Sequence, residues 1–131
     1  GEIGRDHYRW IKDQFENENN FEVFVLHHHL VSVPGTGRER NIVWDAGDVL
    51  KELREVGADL VLAGHRHVPY IWPVAGMLII NSGTVSTWRT RGYTKPSYNI
   101  IKIRPDNIEV IIKTPGENKS EAEKFPRKVL G

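Results

Sequence analysis

Two short runs of β-forming apolar residues, 21–26 and 59–63, each end on a cluster of histidines, and this pairing constrains the fold more tightly than any other feature of the chain. The first passes from Phe21-Glu22-Val23-Phe24-Val25-Leu26 into His27-His28-His29, and the second from Asp59-Leu60-Val61-Leu62-Ala63 into Gly64-His65-Arg66-His67. Near-continuous apolar runs of this length read as strands buried on both faces of an α/β sheet. Between them, 30–41 contains Pro34, Gly35 and Gly37 and reads as a long irregular loop. Asp45 is placed to cap a helix whose apolar residues Val49, Leu53 and Val56 recur at i, i+4 and i+7, with Asp48 in its first turn and Gly57 at its end. Strand, loop, helix and strand make one βαβ unit, and residues just past the carboxyl ends of its strands converge on one rim, where ligand sites form. Five of the six histidines fall there.

The flanking segments change character. Upstream, Tyr8, Ile11 and Phe15 form the apolar stripe of a helix over 4–16, with Trp10 beside it, and the asparagine-rich 17–20 favours a loop. Downstream, 68–74 and 77–81 flank Ala75-Gly76, and 97–103 and 108–113 flank Pro105-Asp106-Asn107, which predicts two antiparallel hairpins. From Thr114 the chain turns polar and is expected to be a mobile tail over 114–131, docking through Phe125 or through Val129 and Leu130. The expected organisation is a domain over 1–113 followed by that tail. The chain starts at Gly1 rather than Met and enters a helix pattern within a few residues, so it reads as a fragment or a processed product.

Composition narrows the chemistry. No cysteine is present, which excludes disulfides, thiolate catalysis and cysteine zinc sites and leaves His, Asp and Glu as the strong metal ligands. Eighteen Lys and Arg against 17 Asp and Glu give a net charge of +1, which argues against bulk electrostatic attachment to nucleic acid or an anionic membrane. No apolar run approaches the roughly 20 residues of a spanning helix, and a cytoplasmic protein is expected.

In an extended segment His65 and His67 project to one side with their roots about 6 to 7 Å apart. Imidazoles so placed could each hold one of two ions about 3.5 to 4 Å apart. Gly64 would let the backbone turn sharply before them. Strand alternation points His28 and His29 in opposite directions, so they are expected to shape a pocket wall rather than bind metal. Arg66, with Arg38 and Arg40 in the preceding loop, would suit a phosphate ester. Trp88-Arg89-Thr90-Arg91-Gly92-Tyr93 interleaves aromatic and basic residues that could grip a nucleotide. His7 belongs to the first helix and to neither cluster.

Leu26-His27-His28-His29-Leu30 resembles the fourth motif, and Gly64-His65-Arg66-His67 the fifth, of the calcineurin-like metallophosphoesterases; the context Ile80-Asn81-Ser82-Gly83-Thr84 is similar too. The resemblance implies the C-terminal half of a four-layer α/β/β/α sandwich with two divalent metal ions, manganese, iron, zinc or similar, at the edge of paired sheets. It implies His27, His65 and His67 as metal ligands, His27 and His65 sharing one ion and His67 holding the other. His28, His29, Gly64 and Arg66 would line the substrate side. The family's first three motifs, Asp-x-His, Gly-Asp-x-x-Asp and Gly-Asn-His-Asp or -Glu, do not occur here. They carry a bridging carboxylate, an Asn ligand and the histidine that serves as general acid, so no catalytic residue is assigned to this chain. Two divalent ions carry four positive charges that three neutral imidazoles do not offset, and at most one weakly held ion is expected on this chain alone.

Three functions compete. The first is the C-terminal part of a binuclear phosphoesterase acting on phosphate mono- or diesters, completed by the N-terminal half of the same domain. The second is a metal-binding or regulatory module without hydrolytic activity. The third is a nucleic-acid interaction module built on the hairpins and the Trp88 to Tyr93 loop. An exposed sheet edge left by missing strands would also invite self-association.

Overall fold

The computed structural model describes residues 1–15, 19–34, 42–86 and 95–127. The expectations that rested on Arg38, Arg40, Trp88 to Tyr93, Val129 and Leu130 lie outside the described residues. The order of elements is α1 (Arg5–Gln14), β1 (Val23–Val25), α2 (Ala46–Glu55), β2 (Leu60–Ala63), β3 (Tyr70–Val74), β4 (Met77–Asn81), β5 (Tyr98–Ile103), β6 (Asn107–Lys113) and β7 (Ser120–Pro126). One sheet has the order β1-β2-β4-β3 and the other β5-β6-β7.

β1 and β2 run parallel and are joined through α2, the expected βαβ unit. β2 also runs parallel to β4, while β3 closes that edge antiparallel to β4. The β3–β4 turn is tight because Ala75 and Gly76 both take positive φ, 50° and 80°, as a two-residue hairpin with the right twist requires. Pro73 is tolerated in β3 because that strand lies at an edge. At the end of α2, Gly57 takes φ 77°; its N–H donates to the Arg54 carbonyl and that of Ala58 to the Leu53 carbonyl, which satisfies two carbonyls of the last turn.

Two cores divide the first sheet's faces. On one face Ile11 of α1 and Val49 and Leu53 of α2 pack on Phe24, Val61, Met77 and Ile79. On the other, Leu60, Leu78 and Ile80 pack on Ile108 and Val110 of the second sheet. The result is an α/β/β layering. The outer helical layer of the expected sandwich has no counterpart among the described residues.

Four expectations are corrected. β1 is not buried on both faces: Phe24 is buried but Val25 is 68% exposed, because β1 forms the sheet's edge and the second sheet does not reach across it. The polar segment after Thr114 is not a mobile tail throughout, since β7 pairs with β6 from Ser120↔Lys113 to Asn107↔Pro126 and seats Phe125 against the inter-sheet core. Gly64 does not take a glycine-only conformation. Finally, the Asp45 side chain makes no cap bond to α2; its carboxylate instead accepts from Ile3 N–H at 2.9 Å, Gly4 N–H at 2.8 Å and the Tyr8 hydroxyl at 2.5 Å, which anchors the start of α1.

At the opposite end of the sheet, Glu22 is buried beside Asp59, whose carboxylate accepts the Glu22 N–H at 2.9 Å. Burial, and then the Asp59 charge, push the Glu22 carboxyl above its usual value. The folded state therefore favours the protonated acid, so this stability is present below the unfolded value and is lost as pH rises through the raised one. Glu22→Gln is expected to stabilise the chain at pH 7 by about 0.5 kcal/mol. Urea unfolding at pH 7 checks this, and a destabilised variant contradicts it.

Candidate metal centre

The two histidine clusters meet because both follow the carboxyl ends of adjacent parallel strands. Leu26 N–H still donates to the Leu62 carbonyl at 3.0 Å, and Gly64 N–H donates to the His27 carbonyl at 3.0 Å, which ties the two post-strand segments side by side. Nε2 of His27 then lies 3.2 Å from Nδ1 of His65. The His28 ring sits 4.3 Å from that of His65, centroid to centroid, and 4.9 Å from that of His27. One ligand nitrogen from each of His27, His28 and His65 lies within 4.8 Å of the other two.

His67, which the resemblance gives to a second ion, is not in this group, whereas His28, expected in a pocket wall, is. The physical reason is backbone conformation. The 64–68 segment is not extended: Arg66 N–H turns back to the Gly64 carbonyl at 3.0 Å, and His65 and His67 both hold left-handed φ, 76° and 60°. The same-side rule for i and i+2 therefore does not apply. Nor does strand alternation separate His27 from His28, because β1 ends at Val25. His29 goes elsewhere: it is buried, its ring stacks on His65 at 6.2 Å and 26°, and its Nδ1 has no hydrogen-bond partner among the described residues. Arg66 is buried as well, and its charge acts on His29.

Electrostatics suit ligation. Burial, followed by the charge of the neighbouring His27, lowers the His28 pKa below the usual histidine value. Burial and then Arg66 lower that of His29. Both imidazoles are held neutral at pH 7, the form that presents a lone pair to a metal. Beside His27 an open cleft of about 580 Å³ runs between the two sheets, lined among others by Val25, Gly64, Ser82, Gly83 and Ser97. Gly83 approaches Ser97 so closely that a Cβ there would strike the Ser97 side chain.

A sequence profile of the calcineurin-like phosphoesterase superfamily domain matches residues 4–106. The chain belongs to that superfamily. The solved structure of a conserved uncharacterized protein from Streptococcus pneumoniae TIGR4, a predicted phosphoesterase, is 26% identical and covers 64% of this chain and 48% of that one, with a TM-score of 0.50. Vps29 of Entamoeba histolytica, solved with Zn2+, is 16% identical and covers 70% of this chain and 51% of that one at a TM-score of 0.45. Vps29 of Cryptosporidium parvum is 18% identical, with coverages of 64% and 45% and a TM-score of 0.46. No curated protein matches. The chain spans about half the length of these solved structures.

Calcineurin-like phosphoesterases bind divalent metals, and the donor set here can be tested against that chemistry. Three imidazoles suit one borderline ion such as zinc, whose sites take histidine nitrogens at about 2.0 to 2.1 Å and leave a position open. They do not suit a pair of ions, because no Asp or Glu joins the group among the described residues. Sequence reasoning did not group His28 with His27 and His65, and it noted Asn81 within Ile80-Asn81-Ser82-Gly83-Thr84 without giving it a role; a polar residue closing the otherwise apolar β4 was the available signal.

Proposed function

We propose that this chain supplies the histidine half of the metal centre of a metal-dependent phosphoesterase acting on phosphate mono- or diesters, and that it is catalytically incomplete by itself. The observation that supports this most is the convergence of His27, His28 and His65 at one rim with no carboxylate in the group among the described residues. Divalent ions held in a complete centre supply Lewis acidity toward a phosphate ester. On this chain, His27 and His65 hold one ion with His28, while His29 and Arg66 back the cluster. His67 enters the centre only when carboxylates from elsewhere bring a second ion. Manganese, iron and zinc all fit histidine–carboxylate chemistry, and loading follows availability.

The edge strand β1, with Val23 and Val25 exposed and a groove of about 510 Å³ between it and α1, suits docking of the polypeptide that carries the family's first three motifs. The same edge could pair with a second copy. No helix among the described residues is long and apolar enough to cross a membrane.

Hydrolysis of p-nitrophenyl phosphate and bis-p-nitrophenyl phosphate with added manganese tests the reading. The isolated chain is expected to be inactive, with turnover appearing when a polypeptide bearing the missing motifs is supplied. Metal-dependent turnover by the chain alone that disappears in His65→Ala contradicts it. A second reading, a metal-binding module without hydrolytic activity, is favoured by a triad that is complete for one ion; it predicts that no added polypeptide restores turnover.

A further inference from the structure

The connection between β2 and β3 passes over the carboxyl end of β4, because β4 lies between those two strands in the sheet. Asn81, the last residue of β4, stands under this arch with none of its surface exposed, and its Nδ2 donates to the Val68 carbonyl at 2.7 Å. A carbonyl only accepts, so the amide nitrogen must be the atom that faces it. Oδ1 of Asn81 has no partner, so the bond to Val68 is what this buried amide makes among the described residues. The other foot of the arch is held by Gly64 N–H to the His27 carbonyl at 3.0 Å and by Ser82 N–H to the Ala63 carbonyl at 2.9 Å. Between the two feet, His65 and His67 keep left-handed backbone that non-glycine residues disfavour and that surrounding contacts must impose.

We infer that Asn81 is a positioning residue: by clamping Val68 it holds the strained 64–68 arch so that the His65 ring is turned toward His27 and His28. The consequence for metal affinity rests on the proposed metal centre, but the clamp itself is a property of the metal-free chain. Leucine at this position fills the space without a donor, and alanine removes the bond while leaving a small cavity.

Amide hydrogen exchange on the metal-free chain tests the clamp. In Asn81→Leu and in Asn81→Ala, exchange of the Arg66 amide is expected to accelerate at least about 10-fold, while Val61 in β2 and Ile79 in β4 stay near their parent rates, the pattern of a local opening. The same signature in either folded variant supports the inference. An unchanged Arg66 rate, or an acceleration shared equally by Val61 and Ile79, overturns it and leaves Asn81 a packing residue. Zinc affinity, read by calorimetry, should fall about 10- to 100-fold, the scale of losing a group that orients a ligand. If the parent chain itself binds no zinc, the metal reading fails and the exchange pattern alone decides the clamp.

Discussion

Replacing His65 with alanine is expected to lower the zinc affinity of the chain by more than about 100-fold, beyond the usual loss from an outer-shell partner. His65 is the member of the triad that comes from the β2–β3 arch, whereas His27 and His28 are neighbours on one segment. Its Nδ1 lies 3.2 Å from the His27 Nε2, and its ring packs at 4.3 Å on His28 and 6.2 Å on His29. Without it two adjacent imidazoles remain, too few donors for the tetrahedral site zinc favours. Competition with a chromophoric chelator at pH 7.5 measures the change, and circular dichroism should show an intact fold. An affinity within threefold of the parent would place the ion elsewhere.

Asp45→Ala is expected to destabilise the chain by about 3 kcal/mol, since hydrogen bonds to a charged group contribute about 1.5 to 3 kcal/mol each and do not add fully. The carboxylate is buried and accepts from Ile3 N–H, Gly4 N–H and the Tyr8 hydroxyl, so alanine leaves three donors without their acceptor. Burial alone would raise the Asp45 pKa, but these bonds outweigh it and hold the carboxyl below its usual 3.8. Reciprocally, the bond to Asp45 is the chief cause that pushes the Tyr8 hydroxyl up to about 12. The sign follows from linkage: a depressed carboxyl contributes stability that is present above 3.8 and is lost as pH falls through its folded value. Urea unfolding at pH 7 should show the loss, and the parent and variant curves should converge in strong acid. A variant as stable as the parent at pH 7 contradicts the anchor.

How much of this was legible in the sequence depended on whether side chains or backbone carried the information. β2 and β4 were legible because their neighbours on both sides and both faces bury them, and that leaves an unbroken apolar run. β7 was not, because Ser120–Pro126 joins the sheet through backbone pairing and sends Phe125 alone into the core. Edge strands rich in charge carry no alternation to detect and are protected by those charges from further pairing. At the site, the meeting of His27 with His65 followed from two parallel strands ending at one rim. The grouping of His28 with them, and the absence of His67 from that group, did not, because β1 ends at Val25 and the arch over β4 holds left-handed backbone at His65 and His67. No local pattern in Gly64-His65-Arg66-His67 announces a strand inserted later in the chain beneath it.

The most direct test of the histidine centre is a calorimetric zinc titration of the parent chain beside its His28→Ala and His67→Ala variants. The geometry predicts one ion per parent chain, a large loss of affinity in His28→Ala, and near-parent binding in His67→Ala. Two ions bound with comparable affinity, or a loss in His67→Ala that exceeds the loss in His28→Ala, would contradict the centre described for this chain.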